Sequence, residues 1–566
     1  MSTKLTQTED KSKIWKDCLL LTLVIGVLFA IMLGDRPFHD PDEGRYVEIP
    51  REMVETGDYI TPRLNGIKYF EKPVLFYWME AAAIKVFGLS EWSTRLVPML
   101  MALLGCLMVY GFGRKFFDRR TGLASALILA STLLWYVYSR IVSLDLTLSV
   151  FVTACLFCFY LAAHARSRWR QEGYVVLMYS FAALAVLTKG LVGMAIPGCT
   201  AVIWIIYNRK WSLISPLLLS FGPLVFVAIA LPWHYMASQA NPEFFDFYII
   251  HEHFTRYLDT VHRRTGPIVY FIPVILLGLF PWVVFFFQAM WQAMKDVRKD
   301  KQKHEILSFL LIWFFFCFVF FSVNKSKLIP YILPVFPALA LIIGRHLAAL
   351  WEQNDKAYRA AYMVYGAITA LLAAGLIFAP FFFDANSAQK LWPYVIMGCI
   401  VLAASSVSVP YMAHKRGFRA AAPLMFVLSA CFFLVINAGA YIGQRPSFGP
   451  IAKIINTELP EPTEVVMYHK YFQDFPPYLG RKVTVVEWKG ELEFGIKQEA
   501  KTAEWMISNA EFHKRWNSDR LIYLAANENY FKSLRGNENF KYFPIAEVDG
   551  NVLVSNQKVS RKGLSK

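Results

Sequence analysis

The segment 39–53, HDPDEGRYVEIPREM, brings carboxylates and guanidinium groups together: Asp40, Asp42, Glu43 and Glu48 are interleaved with Arg45 and Arg51. Carboxylates so placed serve as general bases, cation ligands or orienting groups, and a guanidinium fork suits a phosphate. The same residues also read as a helix start. Asp40 is the expected N-cap, Pro41 the first helical residue and Glu43 the partner that closes a capping box. That ordinary role explains Asp40 and Glu43. It explains Asp42 less well, because a helix dipole favours its charge by only roughly 0.3–1 kcal/mol, as at any helix start. Asp42 is therefore the first candidate for chemistry.

Further charged residues stand beside apolar chain. GIKYFEKPVLFYW (66–78) contains Tyr69, Glu71 and Lys72. Glu71 and Lys72 read either as a solvated pair at a loop corner or as a cation ligand and a phosphate partner. SRIVSLD carries Arg140 and Asp145, LTKGL carries Lys189, and VNKSKLIPYILP carries Lys325, Lys327 and Tyr331. Charges this near hydrocarbon are costly and usually face a cavity. Lysine and arginine can snorkel, but the short side chain of Asp145 cannot do so as easily. In IIHEHFTRYLDTVHRRTGP (249–267), His251 and His253 flank Glu252. A His-x-His pair with carboxylates nearby suits a divalent metal only weakly, and interfacial histidines bonding headgroups are the commoner case. Arg256 suits a bidentate phosphate clamp.

The elements that must position these groups are mostly membrane helices. The chain has 566 residues, 56% of them hydrophobic, and its mean hydropathy is +0.38. About thirteen apolar runs, near 18–34, 93–112, 122–139, 143–164, 173–188, 190–207, 212–231, 268–290, 305–322, 328–348, 360–380, 391–411 and 420–442, approach the length needed to cross a bilayer as helices. The net charge of +16 does not point to nucleic acid, because the basic residues follow the topology. Arg114–Arg120, Arg166–Arg170, Arg209–Lys210, Lys295–Lys303 and Lys415–Arg419 occupy alternate connections. That is the positive-inside pattern, and it places the N-terminus in the cytoplasm and the C-terminus opposite. No cleavage site follows the first apolar run, so a retained first span is expected.

Three segments read as non-membrane: 35–92, 232–267 and 443–566. In the first, Tyr46, Ile49, Met53 and Val54 make one apolar face, which predicts a helix lying on the membrane, with a kink or an early end at Pro50. In the last, TEVVMY (463–468), KVTVVEW (482–488), RLIYLAA (520–526) and NVLVS (551–555) predict strands of a small α/β domain. This domain shows no nucleophile motif or phosphate loop and reads as a lid or scaffold. The eight cysteines all fall in or at the ends of apolar runs and predict no disulfide framework in the soluble segments.

The segment 40–78, with HEHFTRY (251–257) and KSKLIPYILP (325–334), resembles the lipid A aminoarabinose transferases. These belong to the polytopic, polyprenyl-phosphate-dependent GT-C glycosyltransferases, which include the protein O-mannosyltransferases. The resemblance implies an all-α polytopic fold over 1–442 with outer loops 35–92 and 232–267, and a periplasmic α/β domain over 443–566. It implies an inner-membrane enzyme that moves 4-amino-4-deoxy-L-arabinose from undecaprenyl phosphate to a lipid A phosphate with inversion. The product binds polymyxin and other cationic peptides less well. Asp42 and Asp145 are then the catalytic candidates, and Arg45, Tyr69, Lys72, Lys189, Arg256 and Tyr331 the substrate- and lipid-phosphate-binding ones. Glu71 and His251 are candidates for a divalent metal (Zn, Mg or Mn), and no organic cofactor is expected. A related transferase using another sugar or acceptor is the nearest alternative. A lipid transporter is the alternative of another class, but it calls for charges near the bilayer midplane and for paired broken helices, and the sequence shows neither.

Overall fold

The computed structural model describes residues 2–248, 266–353, 358–440, 442, 447–537 and 540–561. Two compact units divide the chain. The first joins Met1–Leu33, Arg95–Tyr235 and Ile249–Ile442; the second joins Gly34–Thr94, Met236–Tyr248 and Gly443–Lys566.

The first unit is helical. Among the described residues, eight helices are long and apolar enough to cross a membrane. Two further bent pairs, Trp211–Leu218 with Gly222–Ala240 (50°) and Ile268–Gly278 with Val283–Lys299 (113°), bring the number to ten. The other expected spans take different forms. The first is the helix Ser2–Ala30, the run 122–139 breaks into Arg119–Ala130 and Leu133–Tyr138, and Val192–Asn208 is a shorter apolar helix. The break at Ser131–Thr132 has a local cause. The Ser131 and Thr132 hydroxyls bond back to the Leu127 and Leu129 carbonyls, and the Leu133 amide donates to Phe280 instead of continuing the helix. Leu144–Ala163 is the most buried of the candidate spans. Accordingly, it is apolar all round, from Val150 to Phe159.

In the second unit, the segment 34–94 associates with 443–566, whereas the sequence grouped it with the membrane helices. Two short strands, β1 (Arg63–Leu64) and β2 (Ile67–Lys68), form a hairpin in this segment. A six-stranded sheet follows: β3 (Glu464–Tyr468), β4 (Thr484–Val486), β5 (Met506–Ile507), β6 (Ile522–Asn527), β7 (Phe543–Val548) and β8 (Asn551–Ser555). Its order is β5-β4-β3-β6-β8-β7. β3 is parallel to both β4 and β6, while β8 runs antiparallel to β6 and β7. All four predicted strands form. The two that escaped prediction have identifiable reasons: β5 is only two residues long, and β7 contains Pro544 and lies at an edge. Val466, Val486, Phe512, Trp516, Leu524 and Val554 belong to the core on one side of the sheet. Asn65 ties the hairpin to the sheet. Its amide donates to the Val483 carbonyl at 2.9 Å, and its side-chain oxygen accepts the Val483 N–H at 2.8 Å.

The helix Asp42–Thr56 departs from expectation in three ways. Pro41, not Asp40, precedes it and contributes no side-chain cap; the Asp40 carboxylate accepts the Gln473 amide at 2.8 Å instead. Pro50 lies inside the helix, which runs on to Thr56 and ends at Gly57 with φ 72°. The helix is also no membrane-surface helix with one wet face, because every residue from Glu43 to Met53 is buried. Gly44 shows how closely it is packed. A Cβ there would lie 2.4 Å from the Gln473 carbonyl carbon, so only glycine fits.

Candidate active site

Burial sorts the acids of the opening segment. Glu43 takes a two-pronged bond from Arg36 at 2.9 and 3.0 Å and also accepts the His39 N–H. Glu48 is paired with Arg51 through two bonds of 2.7 Å. Burial lifts its carboxyl above the ordinary value, although Arg51 opposes the rise. Glu52, which sequence reasoning did not single out, accepts the Gly66 N–H with both oxygens. Burial and the neighbouring Glu48 charge hold it well above the usual carboxylate range. These three acids are structural. Asp42 is the one that stays open, with 60% of its side chain exposed.

Arg45 organises what surrounds Asp42. It donates to Asp42 at 2.9 Å, to the Tyr69 hydroxyl at 2.9 Å and to the Gln473 side-chain carbonyl at 3.2 Å. It also forms a salt bridge with Glu491 at 2.9 Å. Burial works against its charge, but Tyr69, Glu491, Tyr46 and Asp42 outweigh burial and push its pKa well above the ordinary value. Burial likewise holds the Tyr69 hydroxyl well above the usual phenol range, against the pull of Arg45. Tyr69 accepts from Arg45 and keeps its own proton to donate. Glu491 is raised by burial, with Arg45 opposing and Glu71 adding to the rise. Gln473 donates to Glu491 and completes the ring of contacts. Sequence reasoning brought Asp42, Arg45 and Tyr69 forward but missed Gln473 and Glu491. Their signal was weak: a lone glutamine in YFQDF and an acid in KGELE look like surface residues.

Lys72 and Glu71 are both half-buried. The Lys72 ammonium donates to the Glu71 carbonyl at 2.7 Å. Lys68 pairs with Glu243 at 2.6 Å. His251 and Arg256 lie outside the described residues. Among the described residues, no group of three His, Cys, Asp or Glu side chains is placed to hold a metal ion. Glu71 alone does not make such a site.

The first unit brings together three other candidates. Asp145 lies in the first turn of Leu144–Ala163, whose N-cap is Ser143, and the Ser143 hydroxyl bonds its carboxylate at 3.1 Å. Lys189, the last residue of Arg168–Lys189, donates to the other Asp145 oxygen. The Lys189 ammonium also sits 4.3 Å from the centre of the Tyr331 ring. Asp145, Lys189 and Tyr331 therefore form one cluster. Arg140 and Lys327 do other work. Arg140 donates to the Phe29 and Ile31 carbonyls at the end of the first helix. Lys327 spends its three protons on the carbonyls of Phe321, Ser322 and Asn324, so it is no free phosphate partner.

Comparison with known proteins decides the family. A profile described as "Aminoarabinose transferase C-terminal domain" matches residues 451–556, and one described as "Dolichyl-phosphate-mannose-protein mannosyltransferase" matches residues 71–235. An undecaprenyl phosphate-alpha-4-amino-4-deoxy-L-arabinose arabinosyl transferase of Serratia proteamaculans is 30% identical over 427 residues, which is 72% of this chain and 75% of that protein. The chain belongs to this arabinosyl transferase family. The relative of the same name from Enterobacter sp. is 31% identical, and the match spans 64% of this chain and 65% of that protein. The crystal structure of ArnT from Cupriavidus metallidurans bound to undecaprenyl phosphate superposes with a TM-score of 0.83 at 29% identity, covering 95% of this chain and 98% of that one. Its apo form gives 0.81. The chain is thus a multi-pass membrane protein of the family's polytopic GT-C fold.

Proposed function

We propose that the protein transfers 4-amino-4-deoxy-L-arabinose from undecaprenyl phosphate to a phosphate of lipid A at the periplasmic face of the bacterial inner membrane. The observation that carries this reading is the likeness, along 95% of the chain, to a transferase whose structure holds undecaprenyl phosphate. The side chains are suited to the reaction. An oxygen of the acceptor phosphate attacks the anomeric carbon and forms the new C–O bond. The bond from that carbon to the undecaprenyl phosphate oxygen breaks, and the electron pair leaves with the carrier phosphate. A single displacement inverts the anomeric centre. Lys72 and Arg256 supply positive charge for the leaving phosphate. Lys189 and Tyr331 offer a second polar cluster for lipid phosphate. Tyr69, protonated and held by Arg45, can donate to a phosphate or sugar oxygen.

The acceptor is already an anion, so a strong base is not required. Asp42 orients it, takes its proton when it arrives as a monoanion, or pairs with the ammonium group of the sugar. Asp145 is tied to Lys189, which suits a positioning role better than proton transfer. A divalent ion on Glu71 and His251 is a separate proposal, tested by metal analysis of protein purified without chelator. The acceptor is tested by mass spectrometry of lipid A from cells with and without the gene. The reading predicts gain of an aminopentose on a lipid A phosphate. Unchanged lipid A, with the sugar appearing on another acceptor, would overturn the assignment.

A further inference from the structure

Three helices of the membrane unit line an open apolar groove of about 460 Å³. They are Val192–Asn208, Val283–Lys299 and Glu305–Val323. The lining includes Ile203, Val297, Leu311 and Ile312, and on the third helix it runs from Ser308 to Val319. At 1.5 Å per residue that stretch is about 16 Å long, roughly half of a ~30 Å hydrocarbon core. The groove is open along its side, with Phe315 43% and Val319 54% exposed.

Polarity changes at one end only. Tyr207 and Ser308 line the groove there. Lys301 donates to the Tyr207 carbonyl, and its ammonium sits 4.0 Å from the centre of the Tyr207 ring. Arg209 is exposed two residues further along the chain. Lys210 is paired with Glu305 at 3.1 Å. Among the described residues, no carboxylate pairs with Lys301 or Arg209. Lys301 therefore brings positive charge to this end of an apolar groove about one leaflet long, and Arg209 follows Tyr207 two residues on. None of these residues belongs to the proposed reaction.

We propose that the groove is a site for an anionic phospholipid, with one acyl chain along Ser308–Val319 and the lipid phosphate at Lys301 and Arg209. The length of the groove selects its occupant. An acyl chain from the adjacent leaflet ends where the groove ends, while a polyprenyl tail that crosses the midplane does not. The charge at the rim selects an anionic headgroup over a zwitterionic one.

The test is native mass spectrometry of the full-length protein in detergent, titrated with phosphatidylglycerol or phosphatidylcholine of identical chains. The wild type is expected to retain phosphatidylglycerol preferentially. Lys301→Ala and Arg209→Ala are each expected to weaken that retention about fivefold, the equivalent of ~1 kcal/mol for one basic residue near anionic lipid. Leu311→Trp, which fills the slot, is expected to reduce retention of both lipids. Equal retention of the two lipids, or alanine variants that match the wild type, would overturn the proposal. So would displacement of the phosphatidylglycerol by equimolar undecaprenyl phosphate, which would make the carrier the occupant.

Discussion

Arg45 contacts Asp42, Tyr69, Gln473 and Glu491 at once, and its substitution separates a hub from a bystander. Lysine keeps the charge but cannot reach Asp42, Tyr69, Gln473 and Glu491 together. Arg45→Lys is therefore expected to lower kcat/KM for sugar transfer roughly 30-fold or more, the equivalent of ~2 kcal/mol for a broken buried charge pair. Steady-state kinetics in detergent would measure it. Asp42→Asn keeps the shape and removes the charge. It should cost about 10²-fold or more in turnover while leaving donor binding and expression near wild type. Full activity in that variant would exclude Asp42 from the chemistry. Asp145 and Lys189 predict a different pattern, because each neutralises the other with little solvent contact. Lys189→Met or Asp145→Asn alone should destabilise the protein by about 3 kcal/mol, and the double variant by clearly less. Thermal unfolding of the four proteins would close that cycle.

At the scale of the element, the helix Asp42–Thr56 was readable in existence but not in environment. Its apolar positions are local signals, but its start and its end were misread: Pro41 and not Asp40 precedes it, and the helix runs through Pro50 to Thr56. Its burial on all sides is not a local signal, because it depends on chain from 443–566 that lies hundreds of residues away. This is why Glu43, Glu48 and Glu52, which look solvated in the sequence, are buried, and why Glu491 was invisible as a partner of Arg45. The strands β3, β4, β6 and β8 were legible from β-branched runs; β5 and β7 lacked that signal. Gly44→Ala tests the packing. Its methyl group meets the Gln473 backbone, so the variant should lose about 1–3 kcal/mol of stability. Asp474, at the start of Phe475–Leu479, adds a pH dependence. Burial raises its carboxyl to about 7, helped by Asp40 and opposed by the Ser447 hydroxyl. Since the folded pKa lies above the unfolded one, folding retains a proton, and this contribution is lost as pH rises from about 4 to about 7. The wild type should therefore lose more melting temperature between pH 5 and pH 8 than Asp474→Asn does.

At the scale of the whole molecule, hydropathy and the placement of basic residues specified a polytopic helical protein with a small α/β part. They could not specify which segments fold together, because hydropathy does not record long-range packing. Residues 34–94, read as a loop of the membrane domain, share a compact unit with 443–566. The candidate site divides accordingly, with Asp42, Arg45, Tyr69 and Glu491 in one unit and Asp145, Lys189 and Tyr331 in the other. Transfer of an aminosugar from a polyprenyl phosphate is the reaction that defines the protein's proposed role. It is tested most directly by reconstituting the purified protein with undecaprenyl phosphate-linked 4-amino-4-deoxy-L-arabinose and lipid A, then weighing the lipid A. Lipid A heavier by one aminopentose is expected with the wild type, and unmodified lipid A with Asp42→Asn. Unmodified lipid A with the wild type, under conditions where a family relative modifies it, would exclude this transfer.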